Sequence, residues 1–294
     1  MKVIITIPAY NEEPTIVKVI DEIKEAMEKT RYEYQILVLD DGSSDKTAYL
    51  SKKAGAVVYS NKRNIGLVAT FREEIKQCLA LKADIIVHTD ADGQYVASSI
   101  PRLIEKIEQG YDLVLGSRFL GRIEHMPLMK RLGNYAFAIV LSQLTRTRLT
   151  DTTTGFRAFT KNLAENIQYI NTFTYTQEQI IKAAKQNFKI AEIPITTRRT
   201  RESKLFKNSF EYALKAWINI LRIYRDYEPL KFFGLFGLFF IFLGLIIGFW
   251  LLYLFFTTGR VGHIPSQILS LMLMVIGVQI SLFGFLADMN RKSS

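Results

Sequence analysis

The sequence contains very little cysteine and histidine. Among 294 residues there are one cysteine, Cys78, and three histidines. A single cysteine excludes an intrachain disulfide and any metal site built from several cysteines. The shortage of histidine argues against a zinc enzyme, which usually takes several His ligands. A metal bound by this chain is therefore expected to be a hard cation with oxygen ligands.

Two long stretches lack charged residues altogether. Residues 232–256 and 268–287 contain no Asp, Glu, Lys or Arg. Helices of these lengths reach about 37 and 30 Å at about 1.5 Å per residue, which is enough to cross a bilayer. A pair of buried core helices is the alternative, but 232–256 is apolar on every face, as suits contact with lipid. We predict a hairpin of two transmembrane helices within residues 229–290.

Positive charge is concentrated in two stretches of the chain. The net charge is +10, of which residues 122–150 contribute +4 (five Lys/Arg against one Glu) and residues 198–231 contribute +5 (nine Lys/Arg against four Asp/Glu). Both stretches are rich in apolar residues, and the second adjoins the first uncharged stretch. This pattern favours binding to a membrane surface or to anionic lipid headgroups. Nucleic-acid binding is the competing interpretation of a basic chain, and we expect none, because the rest of the water-facing part is not basic.

The charges that flank the uncharged stretches predict the orientation of the hairpin. Basic residues lie on both outer flanks: Arg222, Arg225, Lys231, Arg291 and Lys292. The short connection between the stretches carries Arg260 as its one fixed charge. The positive-inside rule then places both termini in the cytoplasm. Because Met1 leads directly into a short apolar strand rather than a signal peptide, we expect a multi-pass protein of the cell membrane with a cytoplasmic domain.

Strand-like and helix-like segments alternate between residues 2 and 116. Runs rich in Val, Ile and Leu predict strands at residues 2–7, 35–39, 56–59, 84–89 and 112–116. The segments between them carry apolar residues at helical spacing; in the first these are Ile16, Val19, Ile20, Ile23 and Met27. The alternation predicts an α/β domain with a mainly parallel sheet and helices on both faces.

Polar turns follow three of the predicted strands, at residues 8–12, 40–45 and 90–94. Ligands of such sheets bind at the carboxyl ends of the strands, so we expect these turns to form one site. Asp90 and Asp92 are two positions apart, which points both carboxylates to one side of an extended chain. With Gln94 they would offer three oxygen ligands to Mg²⁺ or Mn²⁺. A solvated turn is the alternative.

Asp40 and Asp41 are neighbours and therefore point in opposite directions. One could cap the following turn while the other accepts hydrogen bonds from a ribose or a base; turn chemistry alone is the alternative. Gly66 fits either a close approach of the backbone to a ligand or the capping of a helix.

The polar turns combine into a pattern that resembles a known family. The motifs are IPAYNE at 7–12, LDDGSSD at 39–45, NIG at 64–66, DADGQ at 90–94 and GSRF at 116–119. Their order and spacing resemble the nucleotide-sugar-binding domain of family-two glycosyltransferases, which has the GT-A fold. Two further motifs, DTTTGFR at 151–157 and RTRESKL at 199–205, resemble the branch that loads sugars onto polyprenyl phosphates, such as the dolichyl-phosphate mannose synthases.

The resemblance implies roles for residues at the matching positions. The nucleotide sugar would be bound by Pro8, Tyr10, Glu12, Asp41, Gly66 and Asp90. The metal ligands would be Asp90, Asp92 and Gln94, and the catalytic residues Asp92, Arg118 and Asp151. The lipid phosphate would be bound by Lys130, Arg131, Arg199, Ser203 and Lys204. Thr152 replaces a proline that is common in the family, and Arg201 replaces a glycine, so the shape of the acceptor loop and the arginine that contacts phosphate stay open.

The function implied is that of a membrane-bound, inverting transferase. It would move a hexose from a nucleotide-diphosphate sugar to dolichyl or polyprenyl phosphate, with Mg²⁺ or Mn²⁺ as cofactor and membrane lipids as partners. A lipid monophosphate has a second pKa of about 6 and is largely dianionic at neutral pH, so it needs no general base. Asp151 and Glu178 are candidates for orienting acceptor or sugar, with a solvated helix face as the alternative for Glu178.

Several alternatives stay open at this point. The donor could be GDP-mannose, UDP-glucose or UDP-GlcNAc, and a homo-oligomer is neither predicted nor excluded. A processive polysaccharide synthase is disfavoured because the sequence lacks its Gln-x-x-Arg-Trp motif and its additional membrane spans. A non-catalytic nucleotide-sugar sensor or scaffold is disfavoured by the intact Asp90 and Asp92.

The predicted domain organisation has three parts. Residues 1–204 form the catalytic domain and include an interface helix near 127–145. Residues 205–228 form an amphipathic juxtamembrane helix, and residues 229–290 form the two transmembrane helices, at about 232–256 and 268–287. Both amphipathic helices could lie in the plane of the membrane interface, which would open the site at the depth of lipid headgroups; packing in the core is the alternative for each.

Overall fold

The computed structural model describes residues 1–123, 126, 128–169, 175–198, 218, 220–260 and 263–293. The chain divides into two compact units, Met1–Ala213 and Leu214–Ser294. The predicted boundary between residues 204 and 205 falls outside the described residues and stays a prediction.

The first unit is built from alternating strands and helices. In chain order these are β1 (Lys2–Ala9), α1 (Ile16–Glu28), β2 (Glu33–Asp40), α2 (Thr47–Lys53), β3 (Val57–Ser60), α3 (Leu67–Ala80), β4 (Ile85–His88), a 3-10 turn (Ala97–Ser99), α4 (Ile100–Glu108), β5 (Leu113–Ile123), α5 (Leu128–Thr145), β6 (Arg157–Thr160), α6 (Lys161–Asn166), α7 (Tyr175–Lys185) and β7 (Ile190–Thr197).

The seven described strands form one sheet in the order β3-β2-β1-β4-β6-β5-β7. β1 pairs in parallel with β2 and β4, β2 with β3, and β5 with β7. β6 lies between β4 and β5 and is antiparallel to both. Six of these strands therefore share one direction, and the prediction of a mainly parallel sheet is confirmed.

Helices cover both faces of this sheet. On one face, Val3, Ile5 and Ile7 of β1 pack in a buried cluster with the apolar residues of α1 and α4. The five apolar residues that predicted α1 are all buried in the structure. On the other face, Thr6 of β1 contacts Glu74 of α3. Strand alternation thus sends successive residues of β1 to different helix layers.

β5 is longer than predicted. The expected end at residue 116 is wrong, because the strand continues to Ile123. Its pairing with β7 is interrupted between Ser117 and Arg122 and then resumes. Backbone pairing with β7 therefore extends β5 beyond its apolar run.

The second unit contains two long apolar helices, α8 (Pro229–Thr258) and α9 (Ile264–Ser293). Both are long and apolar enough to cross a membrane, and they contain the two uncharged stretches. Only 11% and 17% of their most apolar windows are buried, which argues against core helices of a soluble protein. The two helices contact each other closely, and the Ser270 hydroxyl on α9 donates a hydrogen bond to the Gly244 carbonyl on α8 at 2.7 Å.

Candidate active site

One edge of the sheet gathers the polar turns. β1, β2 and β4 end at this edge, at Ala9, Asp40 and His88. Because β6 runs in the opposite direction, residues 151–156, which precede it, reach the same edge. The turns predicted to form one site therefore meet there, together with the 151–157 motif.

Asp40 and Asp41 have separate partners in the structure. Asp40 accepts a hydrogen bond from the Ser43 amide at 3.1 Å, which closes the turn after β2. Asp41 accepts hydrogen bonds from the Ile65 amide at 2.9 Å and from the Gly66 amide at 3.1 Å. Gly66 has a φ of +87° and open space where a side chain would be. Asp41 thus fixes the loop that leads into α3, and Gly66 precedes that helix.

The turn after β1 is tied to the turn after β2. The backbone N–H of Asn11 donates a hydrogen bond to the Ser43 hydroxyl at 2.9 Å, and the backbone N–H of Glu12 donates one to the Thr47 hydroxyl at 2.8 Å. Pro8 lies within β1, whereas Tyr10 is exposed at the rim. These contacts tie the turn that carries Tyr10 to the turn after β2.

Asp90 and Asp92 lie in the turn after β4. The Asp90 side chain is 37% exposed, and its Oδ1 lies 3.9 Å from Nε2 of His88. Partial burial and the charge of Asp92 raise the pKa of Asp90 above its usual range, against the opposing charges of His88 and Arg118. The Asp92 carboxylate accepts a hydrogen bond from the backbone N–H of Gln94 at 2.9 Å. An ionised Asp90 is therefore short of compensating positive charge.

These two carboxylates fit a hard divalent cation. Within the described ranges, no group of three or more Asp, Glu, His or Cys side chains is arranged to hold a metal ion. Mg²⁺ commonly binds one or two carboxylates and takes its remaining ligands from water and substrate phosphates. Asp90 and Asp92 match that ligand set, with Gln94 as a neutral oxygen in the same turn.

Arg118 and Asp151 form a buried ion pair. Arg118 Nε lies 2.6 Å from Asp151 Oδ2, and one terminal nitrogen lies 2.8 Å from Oδ1 and 2.7 Å from the Thr153 hydroxyl. Burial disfavours the charged guanidinium, but the hydrogen bonds and charge of Asp151 outweigh this effect and raise the pKa of Arg118. Asp151 therefore holds Arg118 in one orientation.

The 151–157 segment is itself fixed at both ends. The Glu192 carboxylate on β7 accepts hydrogen bonds from the amides of Thr150 and Asp151, each at 2.9 Å. Burial raises the pKa of Glu192. At the other end, the buried Arg157 donates to Gln179 at 2.8 Å and to the Thr154 carbonyl.

A row of buried polar side chains lies next to Asp90, and the sequence did not predict it. The Thr6 hydroxyl donates to Glu74 at 2.6 Å, Glu74 Oε2 lies 3.4 Å from His88 Nδ1, and His88 Nε2 lies 2.9 Å from the Tyr175 hydroxyl. The sequence offered one indication of this row, because Glu74 lies among the apolar residues that form the buried face of α3.

The predicted lipid-phosphate residues are mostly outside the described part of the chain. Arg199, Ser203 and Lys204 lie there, as does the side chain of Lys130. Arg131 is exposed on α5, with its guanidinium 5.9 Å from the ring centre of Tyr135. Glu178 is buried and pairs with Lys182 at 2.8 Å, which excludes the alternative of a solvated helix face. Its role in orienting acceptor or sugar stays a prediction.

Comparison with known proteins identifies the family. A family model, "Glycosyl transferase family 2", matches residues 4–168, more than half of the chain. The dolichyl-phosphate hexose transferase of Haloferax volcanii is 34% identical over 198 residues, which cover 67% of this chain and 83% of the relative. The dolichol-phosphate mannosyltransferase of Pyrococcus furiosus is 30% identical over 289 residues, which cover 92% and 78%.

A solved structure supports the fold. Glucosyl-3-phosphoglycerate synthase from Mycobacterium tuberculosis, in complex with Mn²⁺, UDP and glucosyl-3-phosphoglycerate, aligns with a TM-score of 0.59 and 19% sequence identity over 74% of this chain and 79% of the other. At this identity the likeness concerns the fold, which is GT-A. The chain is therefore a glycosyltransferase and belongs to glycosyl transferase family 2.

Proposed function

We propose that the protein transfers a hexose from a nucleotide-diphosphate sugar to a dolichyl or polyprenyl phosphate at a membrane, with inversion at the anomeric carbon. The names of the two archaeal relatives support this choice of acceptor. The two names differ in the sugar, a hexose in one and mannose in the other, and therefore leave the identity of the sugar open.

One backbone arrangement carries the proposal. The Gln94 carbonyl accepts a hydrogen bond from the Arg198 amide at 2.9 Å, and Tyr95 forms an antiparallel bridge with Thr197. The acidic turn 90–94 is thus joined to the end of β7, directly before the basic 199–205 motif. This supports an acceptor segment that starts beside the carboxylates of the donor site.

The donor would occupy the rim of the sheet. We assign the nucleoside to Pro8, Tyr10, Glu12, Asp41 and Gly66, which lie at the end of β1, in the turns after β1 and β2, and in the loop before α3. Asp90 and Asp92, with Gln94, would hold Mg²⁺ or Mn²⁺, and a divalent ion bound there would neutralise charge on the departing diphosphate. Mn²⁺ accompanies UDP in the solved relative from M. tuberculosis, which supports a divalent metal.

The chemistry requires two anionic groups to be brought together. The acceptor phosphate is already a good nucleophile at neutral pH, so the protein must mainly neutralise charge and align the reactants. Arg118, oriented by Asp151, is one cation for this task. Lys130, Arg131, Arg199, Ser203 and Lys204 are assigned to the acceptor phosphate.

Helix α5 supports access from a membrane surface. Its apolar side chains at helical spacing are exposed, namely Leu128, Leu132, Tyr135 and Ile139. Its opposite face, with Phe137, Ala138 and Leu141, is buried in the first unit. A helix that is apolar on an exposed face and carries Arg131 beside it suits the lipid interface. We also propose that α8 and α9 span the membrane with both termini on the cytoplasmic side.

A donor panel tests the proposal. The purified full-length chain in lipid nanodiscs is incubated with labelled GDP-mannose, UDP-glucose or UDP-GlcNAc and a C55 polyprenyl phosphate or dolichyl phosphate. We expect lipid-extractable label from one donor, lost in Asp92→Ala and kept in Asp21→Asn, a change at an exposed position on α1. A water-soluble polymer would instead indicate a polysaccharide synthase, and no product with any donor would contradict the proposal.

A further inference from the structure

Gly155 lies directly against the carboxylate of Asp90. A Cβ atom built on Gly155 would lie 2.8 Å from Oδ1 and 3.0 Å from Oδ2 of Asp90. The φ of Gly155 is outside the left-handed region, so its backbone conformation suits any residue. The crowding at this position therefore comes from the Asp90 carboxylate, and the missing side chain is what lets the carboxylate approach.

Tyr95 fixes the position of Gly155. The Gly155 amide donates a hydrogen bond to the Tyr95 hydroxyl at 3.1 Å. The Tyr95 ring stacks on Phe156 with 5.1 Å between ring centres and an angle of 23° between the planes. Tyr95 is buried, so both the hydrogen bond and the stacking are shielded from water. Together these contacts fix Gly155 against the Asp90 carboxylate.

The other end of the same segment holds Arg118. Asp151 and Thr153 both accept hydrogen bonds from its guanidinium. Asp90 and Arg118 carry opposite charges, and each favours the ionised form of the other. The 151–157 segment thus supports an acidic group at one end and a basic group at the other, on the side where the donor diphosphate would be bound.

We propose that Gly155 and Tyr95 are positioning residues that hold the Asp90 carboxylate in the orientation required to bind the divalent cation. The inference rests on the proposed function, and it gives the 151–157 segment, assigned by resemblance to the acceptor side, a part in the donor site. Partners that orient a metal ligand commonly change metal affinity by about 10- to 100-fold when they are altered.

Binding of Mn²⁺ alone provides the test. Free Mn²⁺ is measured by electron paramagnetic resonance during titration of the full-length protein in nanodiscs, without any nucleotide sugar. We expect Gly155→Ala to weaken Mn²⁺ binding by about tenfold or more, because the added methyl group displaces the Asp90 oxygens. Tyr95→Phe keeps the ring stacking and removes only the hydroxyl, and we expect it to weaken binding by a smaller factor.

Ala56→Val is the matched control. Ala56 is buried directly before β3, and three strands separate β3 from β6, so the larger side chain crowds the core far from the 151–157 segment. We expect this variant to keep the Mn²⁺ affinity of the unmodified protein. In steady-state transfer, Gly155→Ala should raise the KM for Mn²⁺ while kcat at saturating Mn²⁺ changes little.

The outcomes separate this inference from the proposed function. Equal Mn²⁺ affinity in the unmodified protein, Gly155→Ala and Tyr95→Phe would overturn the positioning role and leave the metal assignment intact. An equal loss in Gly155→Ala and Ala56→Val would overturn it as well, because general disruption of the core would then explain the effect. An unmodified protein that binds no Mn²⁺ would contradict both the metal assignment and the inference. Circular dichroism confirms that each variant is folded before titration.

Discussion

The Arg118 guanidinium is removed from water, and a charge in that position is stable only when it is paired and hydrogen-bonded. Asp151 supplies both conditions through two hydrogen bonds and an opposite charge. Asp151 is itself fully buried, and its own amide is held by Glu192. The orientation of Arg118 therefore depends on β7 as well as on its direct partner.

Replacement of Asp151 should leave a buried cation without its counter-charge. We expect Asp151→Asn to lower the free energy of unfolding by about 3–5 kcal/mol, the usual effect of breaking a buried ion pair. The double variant Arg118→Met/Asp151→Leu should recover part of this loss, because it removes both charges. Urea denaturation followed by circular dichroism measures both, with Asp21→Asn as the surface control. A loss in Asp151→Asn no larger than that of the control would contradict the prediction.

Sequence reasoning located some of the site residues but not their contacts. Asp90 and Asp92 could be recognised because their spacing places two carboxylates together. The partnership of Arg118 with Asp151 spans 33 residues, and that of Tyr95 with Gly155 spans 60. No local sequence pattern predicts such contacts, because they form only when separate loops meet at one edge of the sheet.

At the level of elements, the strands with continuous apolar runs were the most predictable. β1 to β4 occur where these runs predicted them, within a few residues. β6 has only four residues and pairs antiparallel inside a sheet that is otherwise parallel, so its length and sequence give little signal. β7 contains Pro194, which argues against a central strand but is tolerated at the sheet edge that β7 occupies.

The packing of α8 against α9 depends on small residues. A Cβ atom on Gly277 would lie 2.6 Å from both the Gly237 carbonyl oxygen and Cγ1 of Ile241. Close approach of helices at such residues is a common basis of association in membranes, where the hydrophobic effect contributes little. The two helices are thus held together by shape and by the Ser270 hydrogen bond.

Engineered cysteines can report on this packing. A Cβ atom on Gly248 would lie 3.4 Å from the Ser270 hydroxyl oxygen, so Gly248→Cys/Ser270→Cys should form a disulfide between the helices when copper phenanthroline is added as oxidant. Cys78 is buried and does not compete. Adding Gly277→Leu should reduce cross-linking, because overpacking costs about 1–3 kcal/mol. Adding Val278→Leu, at an exposed neighbouring position, should not. Equal cross-linking in both backgrounds would show that Gly277 is not needed for close packing.

The whole molecule combines a water-facing unit with a strongly apolar one. The proposed acceptor is itself both charged and apolar, with a phosphate that requires cations and a long chain that remains in lipid. Nucleotide binding should need only the first unit, whereas transfer to a long-chain acceptor should need both units. The two activities should therefore respond differently to loss of the apolar helices.

Truncation after Tyr227 separates these requirements. The shortened chain keeps the whole first unit, and we expect it to bind the nucleoside diphosphate with unchanged affinity in calorimetry. Transfer to C55 polyprenyl phosphate in vesicles should fall strongly, while transfer to a water-soluble, short-chain prenyl phosphate should persist. If the truncated chain uses the long-chain acceptor as well as the full-length protein does, α8 and α9 contribute no more than attachment.

The reversed course of β6 has a consequence for how this architecture can diversify. The chain leaves the sheet after β5 and returns through β6 at the same rim, so residues 124–150 form an excursion that begins and ends beside the site. On the proposed assignment of Lys130 and Arg131 to the acceptor phosphate, we expect insertions or replacements within that excursion to reshape the entrance for a different acceptor without changing strand order or register. A single inverted strand would thus let acceptor preference evolve independently of the scaffold proposed to hold the donor.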